Sequence, residues 1–421
     1  MNYPNIVIAL LLLTALTTIF SATMQLIFVY LGAILVLGTP DIDLPKILYV
    51  SLLILMAVSR FRSLSGILRQ DYFRDSNLKQ NFLRITTFLL FLISIQISVA
   101  ISNGYSWEAI FRNLFIFILV VLILPVSIYC ALNLTPSRLI ALIALFGFIS
   151  SLASAYLWTQ RRGLFGFGSS RFGLDAEWIG YTAITIFLCS RLAESKFEYA
   201  LLFFLALASA VFLSATLSRT TFILVFILLF SSLILSKFRI RILVFATSLS
   251  IAYLFAYRII TQNIDPSILQ YRIVRSLSYL ISGGLSGSGL GADLSILQRA
   301  EQAALAFQEW KQNPIFGQGV LPISRTLDTS VAALLQFGII GSAIFLVVLL
   351  SIIISLLSNM RATPELRSVV YVFVILTFSS TFIYNWTLNK GYWLSVSLIY
   401  SLSVSILHKS VLNKNKGDLK T

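Results

Sequence analysis

The stretch Val331–Leu357, VAALLQFGIIGSAIFLVVLLSIIISLL, runs for 27 residues without a charged side chain. At ~1.5 Å per residue, a helix of that length spans a hydrocarbon core of ~30 Å with residues to spare. Asn113–Leu134 (NLFIFILVVLILPVSIYCALNL) reads the same way, and Thr221–Ser236 approaches the required length. The apolar runs are continuous, whereas barrel strands alternate lipid-facing and lumen-facing residues, so a β-barrel is excluded. Across all 421 residues, 58% are hydrophobic and only 11% charged, with a mean hydropathy of +0.91. Soluble domains carry about 25% charged residues. The composition therefore predicts an all-α polytopic integral membrane protein.

Working back from the basic C-terminus, apolar segments fall near 391–407, 368–385, 331–357, 241–257, 220–236, 199–216, 179–190, 139–158, 113–134, 85–101, 46–59, 24–38 and 6–21. That gives a best reading of about thirteen transmembrane helices, within a range of about 12–14. Ile6–Phe20 has no basic residues before it and no clear cleavage site, and a second apolar run follows directly. It is therefore expected to be a retained span. The net charge of +15 is carried largely by short turns. Arg60–Arg84 holds six Lys/Arg against Asp71 and Asp75; Lys237, Arg239 and Arg241 fill another turn; Lys409, Lys414, Lys416 and Lys420 follow His408. Positive charge marks cytoplasmic loops, so these turns are expected inside and no nucleic-acid partner is implied. Cys130 and Cys189 both sit in apolar segments, which leaves no disulfide framework and no cysteine-based metal site.

The opposite face is unusual. Thr159–Trp178 brings Arg161, Arg162 and Arg171, and the Ser218-Arg219 corner adds one more arginine. The polar stretch 258–329 contributes Arg258, Arg272, Arg275, Arg299, Lys311 and Arg325. Long connections inside compact folds usually have a task. Excess arginine on the non-cytoplasmic side suits a phosphorylated ligand, because the guanidinium fork matches phosphate oxygens. Three parts follow: an N-terminal transmembrane bundle with outer loop 159–178 (1–257), a large outer loop (258–329), and C-terminal spans with a basic tail (330–421). Within the loop, Ala303, Phe307 and Trp310 share a helical face expected at the membrane interface; Asn313-Pro314 ends that helix, and Gly317 and Gly319 permit a tight turn. The glycine-rich Ser282–Gly291 lacks a preceding strand and a following Lys-Ser/Thr, so it reads as a lid or linker rather than a phosphate loop.

The order Arg299, Trp310, Asn313-Pro-Ile-Phe-Gly-Gln-Gly319, Asp328 and Gly338-Ile-Ile-Gly341 resembles the signature of the O-antigen ligase/polymerase superfamily. Ser218-Arg219-Thr220 and Arg161-Arg-Gly-Leu-Phe-Gly-Phe-Gly168 are further matches, and together they cover roughly residues 140–345. The resemblance implies a GT-C-like enzyme of the bacterial inner membrane with its active site facing the periplasm. It would act on undecaprenyl-diphosphate-linked glycans among membrane lipids, without metal, nucleotide sugar or other cofactor. A flippase and a chain-length regulator are possible partners. Ligases carry a histidine just before the Gly-x-x-Gly span. Here position 327 is leucine, Asp328 lies ten residues before Gly338, and the single histidine is His408 in the tail. That favours a polymerase joining lipid-linked repeat units of O-antigen, capsule or exopolysaccharide over a ligase that transfers glycan to lipid A-core.

The chemistry points to the same residues. A departing diphosphate gains negative charge that arginine can stabilise, and the attacking hydroxyl needs a base within hydrogen-bond reach. Arg219 and Arg299 are the candidate catalytic arginines and Asp328 the candidate base, with Glu309 and Asp175 behind it. Arg161, Arg162, Arg171, Arg325 and Trp310 are candidates for holding diphosphate or glycan. Each has a structural alternative. Arg219 and Arg299 suit a snorkelling helix end or a solvated helix face, Asp328 a helix N-cap near Ser330, and Trp310 an interface anchor. A flippase is the competing class; transporters place ionisable residues within spans, and the segments 199–216 and 220–236 contain no charged residue, Arg219 standing at their boundary.

Overall fold

A computed structural model describes residues 21–36, 44–67, 78–159, 173–190, 195–215, 219–263, 304–305, 307–308, 310–319, 337–359, 364–381 and 389–418. Twelve long helices stand among the described residues, which include no strand. They are α1 (Ala22–Val36), α2 (Leu44–Ile67), α3 (Leu78–Ser102), α4 (Trp107–Leu132), α5 (Pro136–Thr159), α6 (Gly173–Cys189), α7 (Lys196–Ala215), α8 (Arg219–Leu235), α9 (Arg239–Asn263), α10 (Gly338–Asn359), α11 (Pro364–Thr381) and α12 (Lys390–Asp418). Twelve of the thirteen expected apolar segments fall on these helices; the one at 6–21 lies, but for Ser21, outside the described residues.

Five helices are long and apolar enough to cross a membrane, over Ile47–Leu64, Leu83–Ser102, Pro136–Ala155, Lys196–Ser214 and Gly338–Ser358. Shorter apolar helical stretches add Ala22–Ala33, Ile118–Leu132, Glu177–Cys189, Ile223–Leu235 and Leu366–Thr381. Leu55, Phe204, Phe226, Leu254 and Phe378 are each more than half exposed, a distribution that lipid tolerates and water does not. The chain is thus an all-helical membrane protein.

The middle of the bundle is α6. Every residue from Glu177 to Ser190 is buried, with α5, α7, α8, α11 and α12 packed around it. α12 is almost as enclosed, buried from Gly391 to Ile406. In lipid there is little hydrophobic gain from bringing two apolar helices together, so close approach depends on small residues. Gly147 of α5 and Gly180 of α6 supply it. A Cβ at Gly147 would overlap Ala183 Cβ, and one at Gly180 would overlap Ser151 Oγ and stand 3.1 Å from Leu213 Cδ1. Ser151 itself donates to Gly147 O at 2.7 Å, keeping its hydroxyl satisfied inside its own helix.

Arg241 and Arg60, from two of the turns rich in Lys/Arg, stand at one end. Arg241, opening α9, donates through Nη1 to Phe187 O (2.9 Å) and Ser190 O (2.6 Å) at the end of α6. Its guanidinium also lies over the rings of Phe238, Tyr199 and Phe187. A helix C-terminus has carbonyls without intrahelical partners and a negative dipole end, and one arginine answers both needs. At the same end Arg60 of α2 donates to Gln25 Oε1 (3.0 Å) and covers the Tyr129 ring of α4. His408 lies near this end on α12, where partial burial lowers its pKa and holds the imidazole towards the neutral form. Both cysteines are buried and free, as expected of small core residues.

Several boundaries differ from expectation: α2 runs on to Ile67, α3 begins at Leu78 and α12 runs on to Asp418. α9 runs on to Asn263, past the expected end at 257. α6 begins at Gly173, so Asp175 to Trp178 are helical rather than part of an outer loop. The reason is packing: Trp178 is fully buried, edge-on to Tyr392 (4.9 Å), Phe373 (5.6 Å) and Tyr181 (5.9 Å).

The glycine contacts make a prediction. Gly180→Val should lower folding stability by about 1–3 kcal/mol, the usual cost of overpacking, seen as a lower melting temperature in detergent. An unchanged melting temperature would show that α5, α6 and α7 separate without cost.

Candidate functional site

The end of the bundle opposite the basic turns is built around a docked turn. Residues 304–312, where described, are helical, and Asn313–Gly319 then reverses the chain, with Gly317 N donating to Asn313 O at 2.8 Å. Gly317 and Gly319 adopt φ of 71° and 77°, the left-handed region that a Cβ disfavours. The turn caps α10. Ile339 N donates to Pro314 O (3.0 Å) and Ile340 N to Ile315 O (3.1 Å), which satisfies amides that a helix N-terminus leaves without partners.

Gly338 makes the docking possible. Its φ is 64°, and a Cβ there would overlap Gly317 N, Phe316 C and Ile315 O. On its other side the turn meets the end of α3. Asn103 Nδ2 donates to Gln318 O at 2.8 Å, and a Cβ on Gly319 would stand 3.2 Å from Ala100 N. One turn deeper, Gly341 leaves a notch filled by Gln96 of α3, whose Nε2 is 2.8 Å from the site of a Gly341 Cβ. Gln96 is fully buried, and neither side-chain polar atom has a hydrogen-bond partner among the described residues. The two glycines of Gly338-Ile-Ile-Gly341 thus admit different neighbours, the first a turn and the second an amide.

An aromatic series leads from this junction to α6. Phe337 stacks on Phe345 (6.2 Å), Phe345 meets Trp393 edge-on (5.9 Å), Trp393 meets Tyr392 (5.4 Å), and Tyr392 meets Trp178. Asn389 starts α12 by accepting the Tyr392 amide at 3.0 Å, an N-cap that fixes both rings. Beside Trp178 stands Glu177, fully buried. Its Oε2 accepts from Tyr181 Oη (3.1 Å) and from Thr221 Oγ1 (3.0 Å) of α8.

Of the residues expected to form the site, Arg219 is the first residue of α8, two positions before Thr221, and so opens a helix at this end. Trp310 is half-buried and stacks on Phe307 at 5.5 Å, with Lys311 Nζ 4.8 Å from the centre of the Phe307 ring. Phe307 is itself exposed, in keeping with a helix at an interface. Asp328, Arg299, Arg161, Arg162, Arg171 and Arg325 lie outside the described residues, as do Ser282–Gly291 and the side chains of Asp175 and Glu309. The structure therefore brings together the two halves of the glycine motif, Asn313–Gly319 and Gly338–Gly341, at the end where Arg219 opens α8.

Reading the sequence missed Glu177. The signal was there, since an acid followed by Trp-Ile-Gly-Tyr-Thr-Ala-Ile starts an apolar run, and an ionisable residue at the edge of a membrane helix is seldom incidental. In sequence it falls inside the expected outer loop 159–178, which masks it. Compared with known proteins, the chain matches no family model and no curated sequence.

Gly104 and Gly338 make a matched pair for testing the docked turn. Both have positive φ, but nothing lies within 4 Å of a Cβ at Gly104. Gly104→Ala should cost about 1 kcal/mol, the left-handed penalty alone. Gly338→Ala should cost about 2–4 kcal/mol, because overlap with the turn is added. Equal losses in melting experiments would mean that the turn is not seated on α10.

Proposed function

We propose that the chain is a glycosyltransferase of the bacterial inner membrane that polymerises undecaprenyl-diphosphate-linked oligosaccharide repeats at the periplasmic face. In this reading the basic turns face the cytoplasm, about thirteen helices cross the membrane, and residues 258–329 cover the outer end. The observation that carries the proposal is the seating of Asn313–Gly319 on Gly338-Ile-Ile-Gly341 and the end of α3. The two parts of the resemblance are separate in sequence but adjoin in space, at the end where Arg219 begins α8.

The reaction breaks the bond between an anomeric carbon and the lipid diphosphate. An acceptor hydroxyl attacks that carbon, its proton passes to a carboxylate, and the diphosphate leaves with the pair of electrons. Arg219 and Arg299 stabilise the leaving diphosphate, and Asp328 takes the proton. Arg161, Arg162, Arg171 and Arg325 hold phosphate or glycan oxygens, and Trp310 offers a face to a sugar ring. No step calls for a metal or nucleotide sugar. Transfer to lipid A-core is the alternative within the same chemistry.

A flippase has one observation in its favour, the buried Glu177. Transporters, however, hold substrates near the membrane midplane. Glu177 lies in the first turns of α6 and contacts the first turn of α8, at the end of the bundle.

Arg219→Ala and Arg299→Ala should each leave the protein in the membrane but slow chain growth by about 100-fold or more, seen as loss of long glycans on gels. Long chains in both variants would remove the arginines from the mechanism. Asp328→Asn should have an effect of similar size; full-length product would leave Asp328 as a helix cap. Elongation of lipid-linked repeats by the purified protein, with neither ATP nor an ion gradient, separates the enzyme from a flippase.

A further inference from the structure

We propose that Glu177 is a positioning residue for Arg219: its buried carboxylate, held by the Tyr181 and Thr221 hydroxyls, pins the first turn of α8 against α6 and so sets where Arg219 stands. The proposal rests on the function proposed above for its meaning in catalysis, but its geometry is independent.

Three features carry it. Glu177, Tyr181 and Thr221 are all fully buried, so the contact is not a surface accident. Both hydroxyls meet the same oxygen, Oε2, one from within α6 and one from α8. A carboxyl in such surroundings is costly unless it is hydrogen-bonded, and the two hydroxyls supply that to Oε2. Thr221 lies two residues beyond Arg219, and the first turn of a helix frays unless something holds it. Here the tie is to α6, which is buried from Glu177 onward. Further along α8, Leu224, Leu228 and Ser232 are fully buried while Phe226 and Phe230, stacked at 6.3 Å, are exposed, so packing holds the body of the helix and the Thr221 contact holds its first turn.

Position matters more than presence for an arginine serving a leaving group. A displacement of ~1 Å in a catalytic group can cost about 100-fold in rate. Losing Glu177 should therefore lower turnover without touching substrate. An amide retains an acceptor oxygen for Thr221 and Tyr181, so Glu177→Gln is the conservative variant.

The test uses the full-length chain in membranes, with Arg219→Cys as a reporter and a membrane-impermeant thiol reagent as probe. Cys130 and Cys189 are buried and give the background. Adding Glu177→Ala or Thr221→Val should change the labelling rate at position 219 by about fivefold or more, the factor that one lost hydrogen bond produces, and Glu177→Gln should stay within about threefold. With Arg219 restored, the Ala and Val variants should lose about 10–100-fold in polymerisation turnover while Gln largely rescues. Should Glu177→Ala fail to accumulate, Thr221→Val decides alone. Equal labelling rates in the altered and parent backgrounds overturn the proposal, as does a Gln variant as impaired as Ala. If labelling shifts as expected but the unaltered protein makes no polymer, the positioning stands and the proposed function falls.

Discussion

A helix enclosed by protein must have its ends held by protein, and α6, buried from Glu177 to Cys189, is tied at both ends. At one end Arg241 closes the last carbonyls, Phe187 O and Ser190 O. At the other, Glu177 links the first turns of α6 and α8 through Thr221. Between them, Gly147 and Gly180 let α5 approach so closely that no side chain fits. Each remaining helix near the axis is placed by contact with this one. The apolar faces of the outer helices determine only that they belong in a membrane, and lipid would accept them in many arrangements.

The second organising feature is the pair of notches in Gly338-Ile-Ile-Gly341. The sequence pattern alone would suggest a single close helix contact, but the glycines serve two partners. Gly338 receives the Asn313–Gly319 turn, and Gly341 receives the Gln96 amide. The turn in exchange supplies carbonyls for the first amides of α10. Seating and capping are therefore one event: a change that unseats the turn also exposes the N-terminus of α10.

Much of this was legible in the residues. Continuous apolar runs marked the helices, and Asn313-Pro314 with Gly317 and Gly319 marked a turn, because proline and positive-φ glycine act locally. Long-range partners were not legible. Nothing local says that Asn103 reaches Gln318 or that Thr221 reaches Glu177, since such pairs depend on which helices become neighbours. Glu177 was hidden for a further reason. Polar and aromatic residues around 175–178 look like a loop to any periodicity argument, but burial of Trp178 among Tyr392, Phe373 and Tyr181 draws that segment into the helix.

Asn103 and Gln318 are 215 residues apart. A ribosome delivers α3 to the bilayer long before the chain that will cover it exists. Until then Gln96 and Asn103 must find interim company from water, headgroups or the insertion machinery. This end of the protein can be completed only after α10 has emerged, so its maturation follows insertion as a separate stage. Nascent chains cut short before Gly338 would thus carry α3 without the partners of Gln96 and Asn103.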